Sequence, residues 1–92
     1  MKIRYAGPAK QDLIDIQDYI AKDDHAAAYR LAQRVKDQVS HLAQHPHLGR
    51  PGQVQDTREL SISGTPFFVV YRIKRRTIEV LTVVHSRRQW PP

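Results

Sequence analysis

The stretch Pro66–Pro92, PFFVVYRIKRRTIEVLTVVHSRRQWPP, decides how this chain folds. Phe67–Ile73 is apolar at both parities, with Phe67, Val69 and Tyr71 on one and Phe68 and Val70 on the other. Thr77–His85 repeats the pattern, with Ile78, Val80 and Val84 against Leu81 and Val83. β-Branched and aromatic residues dominate both runs, and Lys74-Arg75-Arg76 stands between them as a tight basic turn. Strands apolar on both faces belong inside a sheet or against a partner. The tail His85-Ser86-Arg87-Arg88-Gln89-Trp90 then leaves the sheet carrying three cationic or titratable groups and the only Trp.

Upstream, Lys2–Tyr5 alternates polar and apolar as a short strand does, and Gly7-Pro8 ends it. Pro8 suits the first position of a helix, where its missing N–H costs nothing. Ala9, Leu13, Ile16 and Ile20 then recur at helical spacing, predicting a helix to about Lys22. Asp24 is placed to cap a second helix, His25–Gln44, whose stripe is Ala28, Leu31, Val35, Val39 and Leu42. So short a connection makes the two helices an antiparallel hairpin. Leu13, Ile16, Leu31 and Val35 are expected to be buried between the helices and the sheet. His45–Thr57 reads as a loop, and Arg58–Ile62 as a further strand. The order β-α-α-β-β-β predicts one α+β domain over residues 1–92, an antiparallel sheet with the helical hairpin packed on one face.

Ninety-two residues allow one modest core. The absence of cysteine excludes disulfides, thiolate metal sites and a cysteine nucleophile. The first residues lack the apolar run of a signal peptide, and no run spans a bilayer, so a cytoplasmic protein without membrane contact is expected. The net charge is +6, and it is uneven: residues 1–57 hold eight Lys/Arg and seven Asp/Glu, residues 58–92 seven and two. A basic segment of this kind suits a polyanion or an acidic protein, or simply a solvated surface.

His41, His45 and His47 cluster at the end of the second helix, but no Cys or carboxylate accompanies them at matching positions, and cationic His near a helix C-terminus also suits the macrodipole. No metal or other cofactor is expected. His85 stands beside Arg87 and Arg88. An imidazole can move a proton at neutral pH and guanidiniums can hold a phosphate, so the group could cleave RNA; equally, His85 could cap the strand by bonding to backbone. Trp90 could stack on a base or pin the tail to the sheet.

HPHLGRPG, TREL, FFVVYRI and TIEVLTVVH, in this order and over essentially the whole chain, resemble the RelE/ParE superfamily of toxins from bacterial toxin–antitoxin pairs. The resemblance implies a small basic toxin neutralised by a cognate acidic antitoxin, meeting DNA only through that antitoxin. RelE-like members are ribosome-dependent endoribonucleases that cut messenger RNA; ParE-like members poison DNA gyrase. The RelE-like pattern places an arginine three residues before the tyrosine matching Tyr71, and here that position is Phe68. A phenyl ring cannot hold a scissile phosphate. The resemblance therefore favours the ParE-like branch, with Arg87, Arg88, Trp90, Arg75 and Arg76 as target-binding residues, and Leu31, Val35 and Arg72 toward the antitoxin. Under the ribonuclease reading the catalytic candidates are His85 and Arg87, with Arg72 or Arg58 as a displaced cation.

Overall fold

The computed structural model describes residues 1–92. Its elements are β1 (Lys2–Tyr5), α1 (Gly7–Ala21), α2 (His25–Ser40), a 3₁₀ turn (His41–Ala43), β2 (Arg50–Pro51), β3 (Arg58–Ser61), β4 (Phe67–Lys74) and β5 (Thr77–His85). Helix α1 has Pro at its first turn, as expected. The Asp24 carboxylate accepts the Ala27 N–H at 3.0 Å and so caps α2. The second helix is shorter than its pattern suggests. It gives way after Ser40 to the 3₁₀ turn, which tucks Leu42 fully into the core. No helix is long and apolar enough to cross a membrane.

The five strands lie in the order β1-β5-β4-β3-β2. β3, β4 and β5 form the expected antiparallel meander. The sheet as a whole is mixed, which corrects the expectation of an antiparallel one: β1 runs parallel to β5, Lys2 opposite Thr77 and Tyr5 opposite Val80. The meander leaves β5 with one free edge, which β1 fills; the helical hairpin that follows β1 then carries the chain across to the far side of the sheet, the long connection that a parallel placement requires. The loop after the helices also holds a strand that composition hides, β2, whose Arg50 and Pro51 pair with Glu59 and Arg58. Proline is tolerated there because β2 is an edge.

On one face the sheet packs against the helices. Val69, Tyr71, Ile78, Val80 and Val83 meet Ala9, Leu13, Val35, Val39 and Leu42. Leu13 and Val35 are buried as expected, while Ile16 and Leu31 stay half-exposed at the margin. On the other face Phe68, Val70 and Val84 form a second cluster, covered by Leu81 and Trp90.

The strand β5 reaches both faces through a bulge. Val70 opposes Thr82 and Tyr71 opposes Val80, so Leu81 has no partner in β4. One extra residue reverses parity. Ile78 and Val80 face the helices before it and Val83 after it, while Val84 joins the outer cluster. β1 ends beside the bulge, where the Ala6 N–H donates to Val80 O at 2.8 Å. Beyond it the open edge of β5 is satisfied by α1: the Asp12 carboxylate accepts the Val83 N–H at 3.0 Å and the Thr82 hydroxyl.

Candidate functional site

The tail leaves β5 through a short turn. Ser86 N–H donates to Pro66 O at 2.7 Å and Arg88 N–H to His85 O at 2.9 Å. The His85 ring stands edge-on to Phe67, 5.2 Å between centroids. Its Nδ1 accepts the Arg87 N–H at 3.0 Å. In a neutral imidazole one nitrogen donates and the other accepts, so Nε2 carries the proton here. The lone pair a general base would use is thus already engaged in shaping the turn. Arg87 and Arg88 are exposed and belong to no ion pair. Trp90 pins the tail onto the outer face against the cluster of Phe68, Val70 and Val84, and its Nε1–H is buried without an acceptor.

The other arginines singled out by sequence lie elsewhere. Arg58 donates to Gly49 O at 2.7 Å and, more weakly, to His47 O, which fastens the 45–50 loop to β3. Arg72 and Arg4 share one buried carboxylate, Glu79, the Arg72 Nε lying 2.6 Å from it. Arg75 and Arg76 form the β4–β5 turn. β5 is nine residues long, so this turn lies about 26 Å from His85 at roughly 3.3 Å per residue. The five expected target-binding residues therefore divide between opposite ends of the sheet: Arg87, Arg88 and Trp90 at one, Arg75 and Arg76 at the other.

The three residues expected to face an antitoxin do not share a surface either. Val35 is 1% exposed and belongs to the core, where it can support a contact surface but cannot form one. Arg72 sits on the outer face with Glu79. Leu31 alone lines an open groove of about 550 Å³ between the helical hairpin and the end of the sheet, together with Ile16, Tyr19, Ala27, Phe67 and His85. Tyr19 is 73% exposed at its rim. No three His, Cys, Asp or Glu side chains converge as a metal ion would require.

Two features escaped sequence reasoning. Tyr71, read only as a strand residue, donates its hydroxyl to Pro46 O at 2.7 Å and accepts the Gly49 N–H at 2.9 Å. Gly49 is needed there, since a Cβ would stand 2.7 Å from the Tyr71 ring and 2.9 Å from Glu59 O. Glu59, also buried, accepts from Arg50 at 3.0 Å and from the Gln53 N–H at 3.1 Å. The HPHLGRPG loop is thus held by tyrosine, arginine and glutamate from the strands beneath it. The recurrence of Gly and Pro marks a loop, but nothing local says what it docks on.

A family model described as the ParE toxin of type II toxin–antitoxin systems, parDE, matches residues 3–90. The chain belongs to the ParE toxin family. Among its relatives is the protein Y4kP of Sinorhizobium fredii, 43% identical over 90 residues that cover 98% of this chain and 93% of that one. A solved chromosomal ParDE system from P. aeruginosa contains a chain with a TM-score of 0.83 and 27% identity, covering 92% of this chain and 95% of that one. The RelBE2 toxin–antitoxin complex of Mycobacterium tuberculosis matches at 0.64 and 25%, covering 91% and 95%. This ParE-family toxin thus has the α+β fold shared by both branches and lies nearer in shape to the ParDE chain than to the RelBE2 one. On the ParE framework, Phe68 is part of a closed apolar cluster rather than a vacant cation position.

Proposed function

We propose that this toxin acts on DNA gyrase, trapping it on cleaved DNA and so blocking replication, and that a cognate antitoxin neutralises it. The observation that carries the reading is the state of the outer face. Where the ribonuclease branch places an arginine, Phe68 packs with Val70, Val84 and Trp90. Neither displaced candidate is free to replace that arginine, since Arg72 is bound to Glu79 and Arg58 to loop carbonyls. His85 holds the Arg87 backbone N–H. What the tail offers is two unpaired guanidiniums beside a pinned Trp, which is the composition of a binding hot spot rather than of a proton-transfer site.

The antitoxin is proposed to lay an apolar segment along the groove lined by Leu31, Tyr19 and Phe67, with carboxylates toward the basic tail. Action inside the cytoplasm follows from this reading.

Supercoiling by purified gyrase, without ribosomes, is the deciding assay. The toxin should inhibit it, Arg87→Glu/Arg88→Glu should abolish inhibition, and His85→Ala should change it less than about threefold, because losing a general acid or base would instead cost about 10²–10⁴-fold. Codon-positioned cleavage of messenger RNA on ribosomes, lost in His85→Ala while ribosome binding persists, would replace gyrase with the ribonuclease reading.

A further inference from the structure

The β4–β5 turn is built against its own conformational preference. Lys74 pairs with Thr77, so Arg75 and Arg76 alone span the hairpin, with φ of 51° and 61°. Two-residue turns with φ above zero at both positions favour Asn-Gly or Asp-Gly, because a Cβ is strained there. Elsewhere positive φ falls on residues that tolerate it, Gly64 at 77° in the turn before β4 and Asp56 at 63°. Two arginines in left-handed backbone at a solvent-exposed tip give up stability that Asn-Gly would supply. Strain of this kind persists where the side chains have a use.

The register shows what surrounds the tip. Lys2 lies opposite Thr77 on one side and Lys74 on the other, so Lys2, Lys74, Arg75 and Arg76 share one rim of the sheet. None of the four is in an ion pair. The buried carboxylate nearest in register, Glu79, is already shared by Arg4 and Arg72. Beside the rim opens a cleft of about 540 Å³, lined by the unpaired Lys74 and by Arg72 and Arg58, which Glu79 and the loop carbonyls already hold, with Asp56 as its one acid and Ile73 as its one hydrophobic side chain. A protein partner needs apolar anchors at the centre of its interface, and this cleft supplies almost none. Dispersed cations without such anchors match a phosphate backbone.

We propose that this rim is a second contact site, separate from the tail, that grips the phosphate backbone of nucleic acid directly and without sequence preference. It does not depend on gyrase being the target, since a nucleic acid is present at either kind of target. It differs from DNA contact made through an antitoxin, because the cations are the toxin's own.

The test is fluorescence anisotropy of the full-length toxin alone with a labelled 30-base-pair duplex, across a salt series. Four phosphate contacts give a slope of log K against log salt of about −3.6, or a loss of roughly 150-fold from 50 to 200 mM salt. The variant Arg75→Asn/Arg76→Gly should flatten the slope by roughly 1.8. The same variant should melt at a higher temperature than the parent, because its residues suit the turn; Arg75→Lys/Arg76→Lys should keep the slope. Three results would overturn the proposal: a slope unchanged in Arg75→Asn/Arg76→Gly, an equal flattening by Arg87→Gln/Arg88→Gln, or polyglutamate of equal charge competing as well as unlabelled duplex. The last would point to an acidic protein instead.

Discussion

Tyr71 shows how one side chain can fix a loop of eight residues. Its ring is fully buried and its hydroxyl spans Pro46 and Gly49. Tyr71→Phe keeps the packing and leaves both backbone groups without that partner, so urea denaturation should show a loss of about 1–3 kcal/mol. Gly49→Ala meets the same ring and the Glu59 backbone, neither of which is a flexible side-chain end, and should destabilise at least as much. Gly7→Ala is the matched control: nothing lies within 4 Å of its Cβ, and the change should leave stability equal or up to about 1 kcal/mol higher. At Trp90 the buried N–H has no acceptor. Trp90→Phe removes that orphan and most of the packing survives, so it should cost less than about 1 kcal/mol, whereas Trp90→Ala should cost roughly 2–3.

Among the elements, β5 carries the most responsibility. It pairs with β1 before its bulge, with α1 through Asp12 after it, and with β4 throughout. Asp12→Ala should therefore loosen the second half of β5 selectively. Amide hydrogen exchange should speed up at Val83 while Ile78–Val80 stay protected, and equal acceleration along the whole strand would show that the Asp12 contact is not what holds this edge. The bulge is also what lets one strand serve both the helical core and the tail cluster. The groove side is looser: Leu31 is only half-buried, so Leu31→Ala should cost less stability than Val35→Ala, whose side chain is 1% exposed.

For the whole molecule, charge is divided by layer. The helical segment, residues 6–48, holds five Lys/Arg and six Asp/Glu; the strands, their turns and the tail hold ten and three. The basic character is thus a property of the sheet layer: Arg4, Arg50 and Arg72 are paired with Glu79 and Glu59, while Lys2, Lys74, Arg75 and Arg76 at one end and Arg87 and Arg88 at the other are in no ion pair. Alkaline pH acts on the core beneath it. Burial pushes Tyr5 up to about 12 and Tyr71 upward as well, the Gly49 N–H and Arg58 opposing the latter shift. Both neutral phenols are favoured by folding. Their contribution is intact below the unfolded tyrosine value of about 10 and is lost as pH rises through the folded values. Stability measured by denaturant should fall between about pH 10 and 12, and Tyr5→Phe should flatten that fall.

The sequence by itself determined the helical hairpin, the Asp24 cap, the three-strand meander and the two-faced character of β4 and β5, because each is written in local periodicity and capping chemistry. The departure at Phe68 was equally legible, since a single residue type decides whether a phosphate can be held there. What only the tertiary structure decided were the relations between distant residues. β1 takes the open edge of β5 and runs parallel to it, a matter of topology rather than of pattern. The Leu81 bulge reverses parity within a run that reads as continuously apolar, so Val84 could not be assigned a face from spacing. Val35 and Leu31 are four apart on one helical stripe, yet one is core and the other lines a groove, because burial depends on where the sheet ends. The arginines look like one basic C-terminal set when read along the chain; folding pairs Arg72 with Glu79, spends Arg58 on a loop, and sets Arg75 and Arg76 a full strand length from Arg87 and Arg88.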